Sequence, residues 1–438
     1  MDQLIPSLDQ LLAPLGVVFR KEVFDLFRRM VAAWIVCLGR HTICRVWETT
    51  GQARQRNHAA AYRLFSQAVW NFDEVARVLL VRLLAAFVPG SRVWVVVDDT
   101  LCHKRGAKVA FGGIFLDAVL SSRRHKVLRF GTNWVLLGLV VQLRDRPDRF
   151  FCLPLLWRVY EKRGQKSKTD HRTKPQLAAD MIRLLADWLP GRQLLLVADS
   201  AYISKGLLRD RPVNVEAIGP LCWKAALWHA VAGQRPMQGQ RLPTPAQLLA
   251  DDAAWPAVTR WITFPNGCRR RLHLKQIDDV CWPSVAGDKP VRVVLVRDPK
   301  GQWRDEALVS TDPRLPYWLI VSGYCRRWSV EVAFCDAKQR LGFHDPQVWS
   351  ALAVERATPM AWLVGTLVVL WYAESGRSGP QARRQGSWYR HKSSLTFADM
   401  LSSCRLQLWQ HWLRQGGATD AGLQGQWAWL LEYIATTT

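Results

Sequence analysis

Apolar and polar positions change period several times along the chain, and each change predicts an element. Residues 1–88 read as helical. The stretch 22–38 is mostly apolar with charges at its start, and 57–87 repeats the pattern with a break near Asn71-Phe72-Asp73. Asp73 ahead of a largely apolar run marks a helix start. Pro89-Gly90 punctuates the chain. RVWVVV at 92–97 then has the β-branched density and length of a buried strand, ending at Asp98-Asp99-Thr100. Further strands are expected at 134–143 and 150–160, after a basic, Gly-containing loop. Residues 173–189 carry helical periodicity with Pro175 tolerated near the start. A fourth strand at 194–198 ends at Asp199, followed by a short helix at 203–209 and a strand at 213–218.

Residues 225–320 switch to short β-like pieces (259–264, 270–275, 291–296, 306–310) between Pro and Gly turns, which reads as a β-rich insertion with Arg269–Arg271 on or near a turn. Helical periodicity returns over 324–341, where Glu331 and Lys338 fall two turns apart on one side. Helices are expected again at 349–371 and 397–414, with a Gly- and Arg-rich loop over 375–394. The order of elements predicts an α/β protein: a mixed sheet with helices packed against it. Its segments are a helical region at 1–88, a first sheet-and-helix core at 89–224, the insertion at 225–320, a final core part at 321–375 and a C-terminal region at 376–438.

Charge adds a partner. The 438 residues hold 60 Lys plus Arg against 36 Asp plus Glu, a net charge of +24, which favours a polyanion. The excess is dispersed in clusters at Arg123–Lys126, Lys162–Lys174, Arg269–Arg271 and Arg383-Arg384, so no single tail carries it. With 49% hydrophobic residues the chain is no disordered basic tail, and 10 Cys make no disulfide scaffold. The longest apolar run, 360–373, falls short of the roughly 18–20 residues of a membrane span, and the N-terminus lacks a secretory signal, so a soluble cytoplasmic protein is expected. The 23 Trp are divided between core and candidate base-stacking positions. P-loop, dinucleotide-binding and nucleophile-elbow motifs are missing.

Two carboxylates, Asp99 and Asp199, end apolar strands, and Glu331 sits in a basic, apolar helix. Converging carboxylates inside so positive a chain would offer hard oxygen ligands to Mg²⁺ or Mn²⁺. The plainer reading is that the Asp residues cap loops or helices.

The stretch YCRRWSVEVAFCDAKQRLG at 324–342 fits Tyr-x2-Arg-x3-Glu-x6-Lys through Tyr324, Arg327, Glu331 and Lys338. With VVVDDT, LLLVADSAY and SWYRHKSSLTFADML, it resembles bacterial insertion-sequence DDE transposases of the IS-four-like superfamily, the group also called DDE superfamily endonucleases, over about residues 20–415. The resemblance implies an RNase H-like catalytic core interrupted by a β-rich insertion. It implies that Asp99, Asp199 and Glu331 hold two Mg²⁺ or Mn²⁺ ions, and that Tyr324, Arg327 and Lys338 contact phosphate. Asp99 is preferred to Asp98 because the family's ligand immediately precedes Thr, and an alternating strand points the two to opposite sides. The resemblance further implies transposon-end cleavage and strand transfer. Double-stranded DNA (terminal inverted repeats and target), a synaptic homodimer and a nucleoid-associated cytoplasmic location follow from it, with no membrane. An aromatic residue of the insertion (Trp261, Trp282 or Trp303) is the candidate to support a flipped base, and Arg269–Arg271 and Lys104-Arg105 are candidate phosphate contacts. A nuclease without strand transfer and a non-catalytic DNA-binding protein are the alternatives.

Overall fold

A computed structural model of the chain describes residues 4–51, 57–122, 124–144, 146–163, 171–230, 236–251, 258–264, 267–382, 395–418 and 428–436. The basic residues Arg123 and Arg383-Arg384, most of the 162–174 cluster and the 387–394 part of the tail motif lie outside the described residues.

The N-terminal apolar periodicity folds into α1 (Pro6–Leu12), α2 (Lys21–Val36), α3 (Ile43–Thr49), α4 (Ala59–Ser66) and α5 (Phe72–Phe87). Asn71 caps α5 by accepting the Glu74 amide, so the helix begins just ahead of Asp73. Strands β1 (Arg92–His103), β2 (Gly113–Leu116), β3 (Leu128–Leu143) and β4 (Arg146–Tyr160) follow, then α6 (Lys174–Trp188) behind a Thr173–Gln176 capping box. Next come β5 (Gln193–Ala198), α7 (Lys205–Leu208), β6 (Val215–Pro220), β7 (Trp228–His229), α8 (Pro245–Ala250), β8 (Val258–Thr263), β9 (Arg269–Cys281), β10 (Pro290–Arg297) and β11 (Glu306–Ser310). The last helices are α9 (Tyr317–Cys325), α10 (Trp328–Arg340), α11 (Ala351–Ala357), α12 (Met360–Glu374), α13 (Phe397–Gln415) and α14 (Ala428–Thr436).

The strands form one mixed sheet in the order β2-β3-β1-β5-β6-β11-β10-β9-β7, with β4 on β3 and β8 on β9. β1, β5 and β6 are parallel neighbours, and the other pairings are antiparallel. Strands from residues 225–320 therefore prolong the central sheet from β6 onward. Arg269–Arg271 open β9 directly after the turn at Gly267, as expected near a turn, and Arg270 pairs with Asp298. β1 also runs on past its acidic pair. Its antiparallel partner β3 continues to His103↔Gly131, whereas the parallel register with β5 stops at Val97↔Ala198. Asp98 and Asp99 thus lie on a stretch of β1 whose β5 side is open.

Two helical stretches are divided where sequence periodicity runs through. Pro359 separates α11 from α12, and Trp349 lies ahead of α11, outside the helix. Contrary to the sequence reading, Ala351–Glu374 is long and apolar enough to cross a membrane, with a mean hydropathy of 1.3, but 83% of that window is buried inside the protein. Trp362 of α12 meets the rings of Trp134, Trp157, Phe334 and Phe343.

α9 and α10 meet at a tight corner, where the Arg326 and Arg327 amides reach back only three residues, to Gly323 and Tyr324. Gly323 faces Trp94 of β1, and a Cβ there would meet the indole at 2.6 Å. The Arg326 guanidinium lies between Trp94 (4.0 Å) and Phe150 (4.7 Å). Burial there pushes its pKa down to about 10. The corner is therefore pinned to the face of β1 that carries residues 94, 96, 98 and 100. A Gly323→Ala protein is expected to lose about 1–3 kcal/mol, as overpacked cores do. Denaturant melts check this, and an unchanged midpoint would mean the corner shifts freely.

Candidate active site

Alternation along β1 places Asp98 and Thr100 on the face pinned under the α9–α10 corner. α10 runs along that face. Arg327 Nη1 donates to Asp98 Oδ2 at 2.9 Å and to Glu331 Oε1 at 3.5 Å, while Asp98 Oδ1 accepts the Asp99 amide at 2.8 Å. Two turns beyond Glu331, Lys338 Nζ donates to Thr100 Oγ1 at 2.6 Å. The helical spacing of Arg327, Glu331 and Lys338 thus becomes a line of polar contacts over one strand.

Asp199 immediately follows β5. Its Oδ1 accepts the Ala201 and Tyr202 amides at 2.9 and 3.3 Å and closes a turn, as the capping reading expected. Because Val97 is paired with Ala198, the parallel register sets Asp98 and Asp199 level with each other just past the last β1–β5 pair. Their electrostatics are joined. Burial, with Asp199 and Glu331 nearby, pushes the Asp98 carboxyl up to about 7 against the pull of Arg327. Asp199 is also raised, first by burial, with Arg327 again opposing. Burial lowers the Arg327 pKa, but Asp98, Tyr324, Glu331 and Asp199 outweigh it and raise it. Arg327 is the common counter-ion of three carboxylates.

Asp99 has different partners. Lys174 Nζ, from the first turn of α6, contacts its Oδ2 at 2.5 Å, and the buried Tyr202 donates its hydroxyl to Oδ1 at 3.0 Å. Burial and Asp99 raise the Tyr202 phenol. The charge of Asp99 still reaches Asp199, but the residue gathered with Glu331 and Arg327 is Asp98. Lys174 and Tyr202 were missed from sequence. Tyr202 stood in the ADSAY segment, while no local signal links Lys174 to a carboxylate 75 residues earlier.

Tyr324, on α9, is half-buried beside Arg327. Together with Phe264, Trp303 and Trp328 they line a cavity of about 390 Å³. Of the candidate insertion tryptophans, Trp282 is buried in the core, and Trp261 is exposed with Arg269 over its ring at 5.8 Å. Trp303 faces this cavity, edge-on to Phe264 at 4.9 Å. Lys338 is lowered, first by burial.

Among the described residues no three His, Cys, Asp or Glu side chains are spaced as a ready-made metal cage. The donor set nevertheless suits a hard divalent cation. Asp98, Asp199 and Glu331 supply carboxylate oxygens, and the Arg327 guanidinium offsets their mutual repulsion as a bound cation would.

The family model described as DDE superfamily endonuclease matches residues 18–278, more than half of the chain. The protein belongs to that family. The matched span takes in β1 with Asp98-Asp99 and β5 with the following Asp199, and stops before α10. None of the curated proteins matches the chain.

The raised Asp98 pKa sets a pH dependence. An ordinary aspartate titrates near ~3.9, so from there to about 7 the native state holds a proton that the unfolded chain has released. Stability from this group is present below that window and is lost as pH rises through it. In EDTA, Asp98→Asn is expected to gain stability over the unsubstituted protein as pH rises from 4 to 8, by up to about 4 kcal/mol at ~1.4 kcal/mol per unit. Thermal melts across that range check it; a gap that shrinks with rising pH contradicts it.

Proposed function

We propose that this protein is a DNA transposase of the IS-four-like type, cutting at transposon ends and joining the freed 3′ hydroxyl to target DNA. The observation that carries the reading is the gathering of Asp98, Asp199 and Glu331 around Arg327. A mixed sheet with acidic residues on adjoining parallel strands supports an RNase H-like core. The Tyr324-Arg327-Glu331-Lys338 motif supports the narrower class.

Asp98, Asp199 and Glu331 would hold Mg²⁺ or Mn²⁺, two ions per site, with Asp98 taking the place that the motif assigned to Asp99. Such ions, when bound, activate the attacking oxygen and stabilise the leaving oxygen of an in-line displacement. The chain's own groups bind and orient. Arg327, released from the carboxylates, offers a planar fork to phosphate oxygens, and Lys338 offers a point charge. Tyr324 presents a hydroxyl beside them, and the Phe264–Trp303 cavity suits a stacked base. Lys174 and Tyr202 keep Asp99 engaged. The partners are double-stranded DNA (terminal inverted repeats and target) and a second copy of the chain in the synaptic complex. The setting is the bacterial cytoplasm, at the nucleoid.

Asp98→Asn, Asp199→Asn and Glu331→Gln are each expected to lower Mg²⁺-dependent cleavage of end-bearing DNA at least about a thousandfold, roughly 4 kcal/mol, while retaining DNA binding. Asp99→Asn is expected to lose less than about tenfold. Full cleavage by Asp199→Asn would sink the reading, and a larger loss at Asp99 than at Asp98 would return the ligand role to Asp99. Arg327→Ala is expected to bind Mn²⁺ more tightly without DNA, because the competing cation is gone. Electron paramagnetic resonance titration reads this directly, and unchanged or weaker affinity contradicts it.

A further inference from the structure

The chain after α10 is bound to the end of β1 by a set of contacts that the catalytic reading does not use. His344 Nδ1 accepts the His103 amide at 3.1 Å, and the two rings stack at 4.8 Å. His103 Nε2 meets Asp117 Oδ2 at 2.6 Å. Lys104 Nζ donates to the carbonyls of His344 and Pro346 at 3.3 and 2.9 Å, and the Ala110 amide donates to the Trp349 carbonyl at 2.9 Å. Held between these two segments is a groove of about 990 Å³, lined by Arg40, Lys104, Arg105, Lys108, Asp345 and Trp349 among others.

Its chemistry is one-sided. Arg40, Arg105 and Lys108 are exposed, and among the described residues no carboxylate pairs with them. Asp345, the acid on its wall, accepts the His41 amide at 2.8 Å. Trp349 is 71% exposed at the rim. Four cations around an open groove, with one projecting indole and few apolar anchors, suit a phosphate backbone better than a protein surface.

We propose that this groove is a second DNA contact, holding the duplex backbone that flanks the scissile phosphate, with Trp349 packed against sugar and base edge. The proposal rests on the reading of the carboxylate cluster as the cutting site. Five residue steps along β1 lead from Asp98 to His103. At ~3.4 Å per residue that is about 17 Å, less than the ~34 Å that one duplex turn spans along its axis. The groove therefore lies within about one duplex turn of the cut.

The test uses the full chain and a short fluorescein-labelled DNA duplex of mixed sequence, titrated by anisotropy over a range of NaCl concentrations. The Arg105→Ala/Lys108→Ala double variant, both sites exposed, is expected to bind with a log–log salt slope shallower by roughly 2, at ~0.9 per lost phosphate contact. Trp349→Ala is expected to weaken binding several-fold at unchanged slope. Phosphate-ethylation interference on cleaved DNA should fall on the backbone flanking the cut, within about one duplex turn of it, and vanish in the double variant. A double variant with wild-type slope, in a preparation whose wild type cleaves with Mg²⁺, overturns the groove and leaves the cutting site standing. Tighter binding of a matched single-stranded RNA through the same residues overturns the DNA assignment. A wild type that binds the duplex but never cleaves overturns the cutting site, and with it this placement.

Discussion

Negative charge buried beside negative charge requires a cation, and Arg327 is that cation here. The β1–β5 register delivers Asp98 and Asp199 side by side, and α10 brings Glu331 against them. Without Arg327 the three carboxylates would be left to repel one another in a partly dry setting. A guanidinium suits this position because its planar fork can serve more than one carboxylate at once. The same property lets a phosphate compete for it. The interaction that holds the resting site together is also the one a nucleic acid is equipped to exchange.

Arg327 points where it does because its neighbour is immobilised. Arg326 is fixed between Trp94 and Phe150, and Gly323 allows α9 to approach the Trp94 ring. The far end of α10 is tied as well. Trp34 Nε1 donates to the Leu341 carbonyl at 2.9 Å, and the buried Arg405 donates to the Ile35 carbonyl at 2.7 Å. α10 is thus held at both ends, the condition under which a site keeps its geometry. Arginines 326, 327, 356 and 405 work inside the protein, so the +24 charge overstates what the surface offers to a polyanion.

Sequence periodicity located β5, α6 and β11 closely, because each is a local run with a clear apolar pattern. It ended β1 too early, since the partner that prolongs the strand is β3, which comes later in the chain. It saw that Asp98 and Asp99 take opposite faces, but not which face a helix more than 200 residues away would cover. It read 324–341 as one helix because the three-residue steps of the corner nearly preserve helical spacing. It read 225–320 as an insertion without showing how its strands join the sheet, because the pairing of β11 with β6 is non-local. The motif was legible as a set of residues. Its arrangement, with Arg327 among the acids and Tyr324 on a separate helix lining a cavity with Trp303, was not.

The apolar α11–α12 segment has a consequence in time. The face it covers belongs to a meander that ends with β4 at Tyr160, and Ala351 follows about 190 residues later. At ~5–20 residues per second, a chain made from its N-terminus waits roughly 10–40 s between finishing those strands and gaining the helices that cover them. For that interval Trp134 and Trp157 lack the Trp362 ring that they meet in the finished protein. The nascent sheet must be shielded or stay loosely formed until then, so the last stretch of synthesis decides when the core closes.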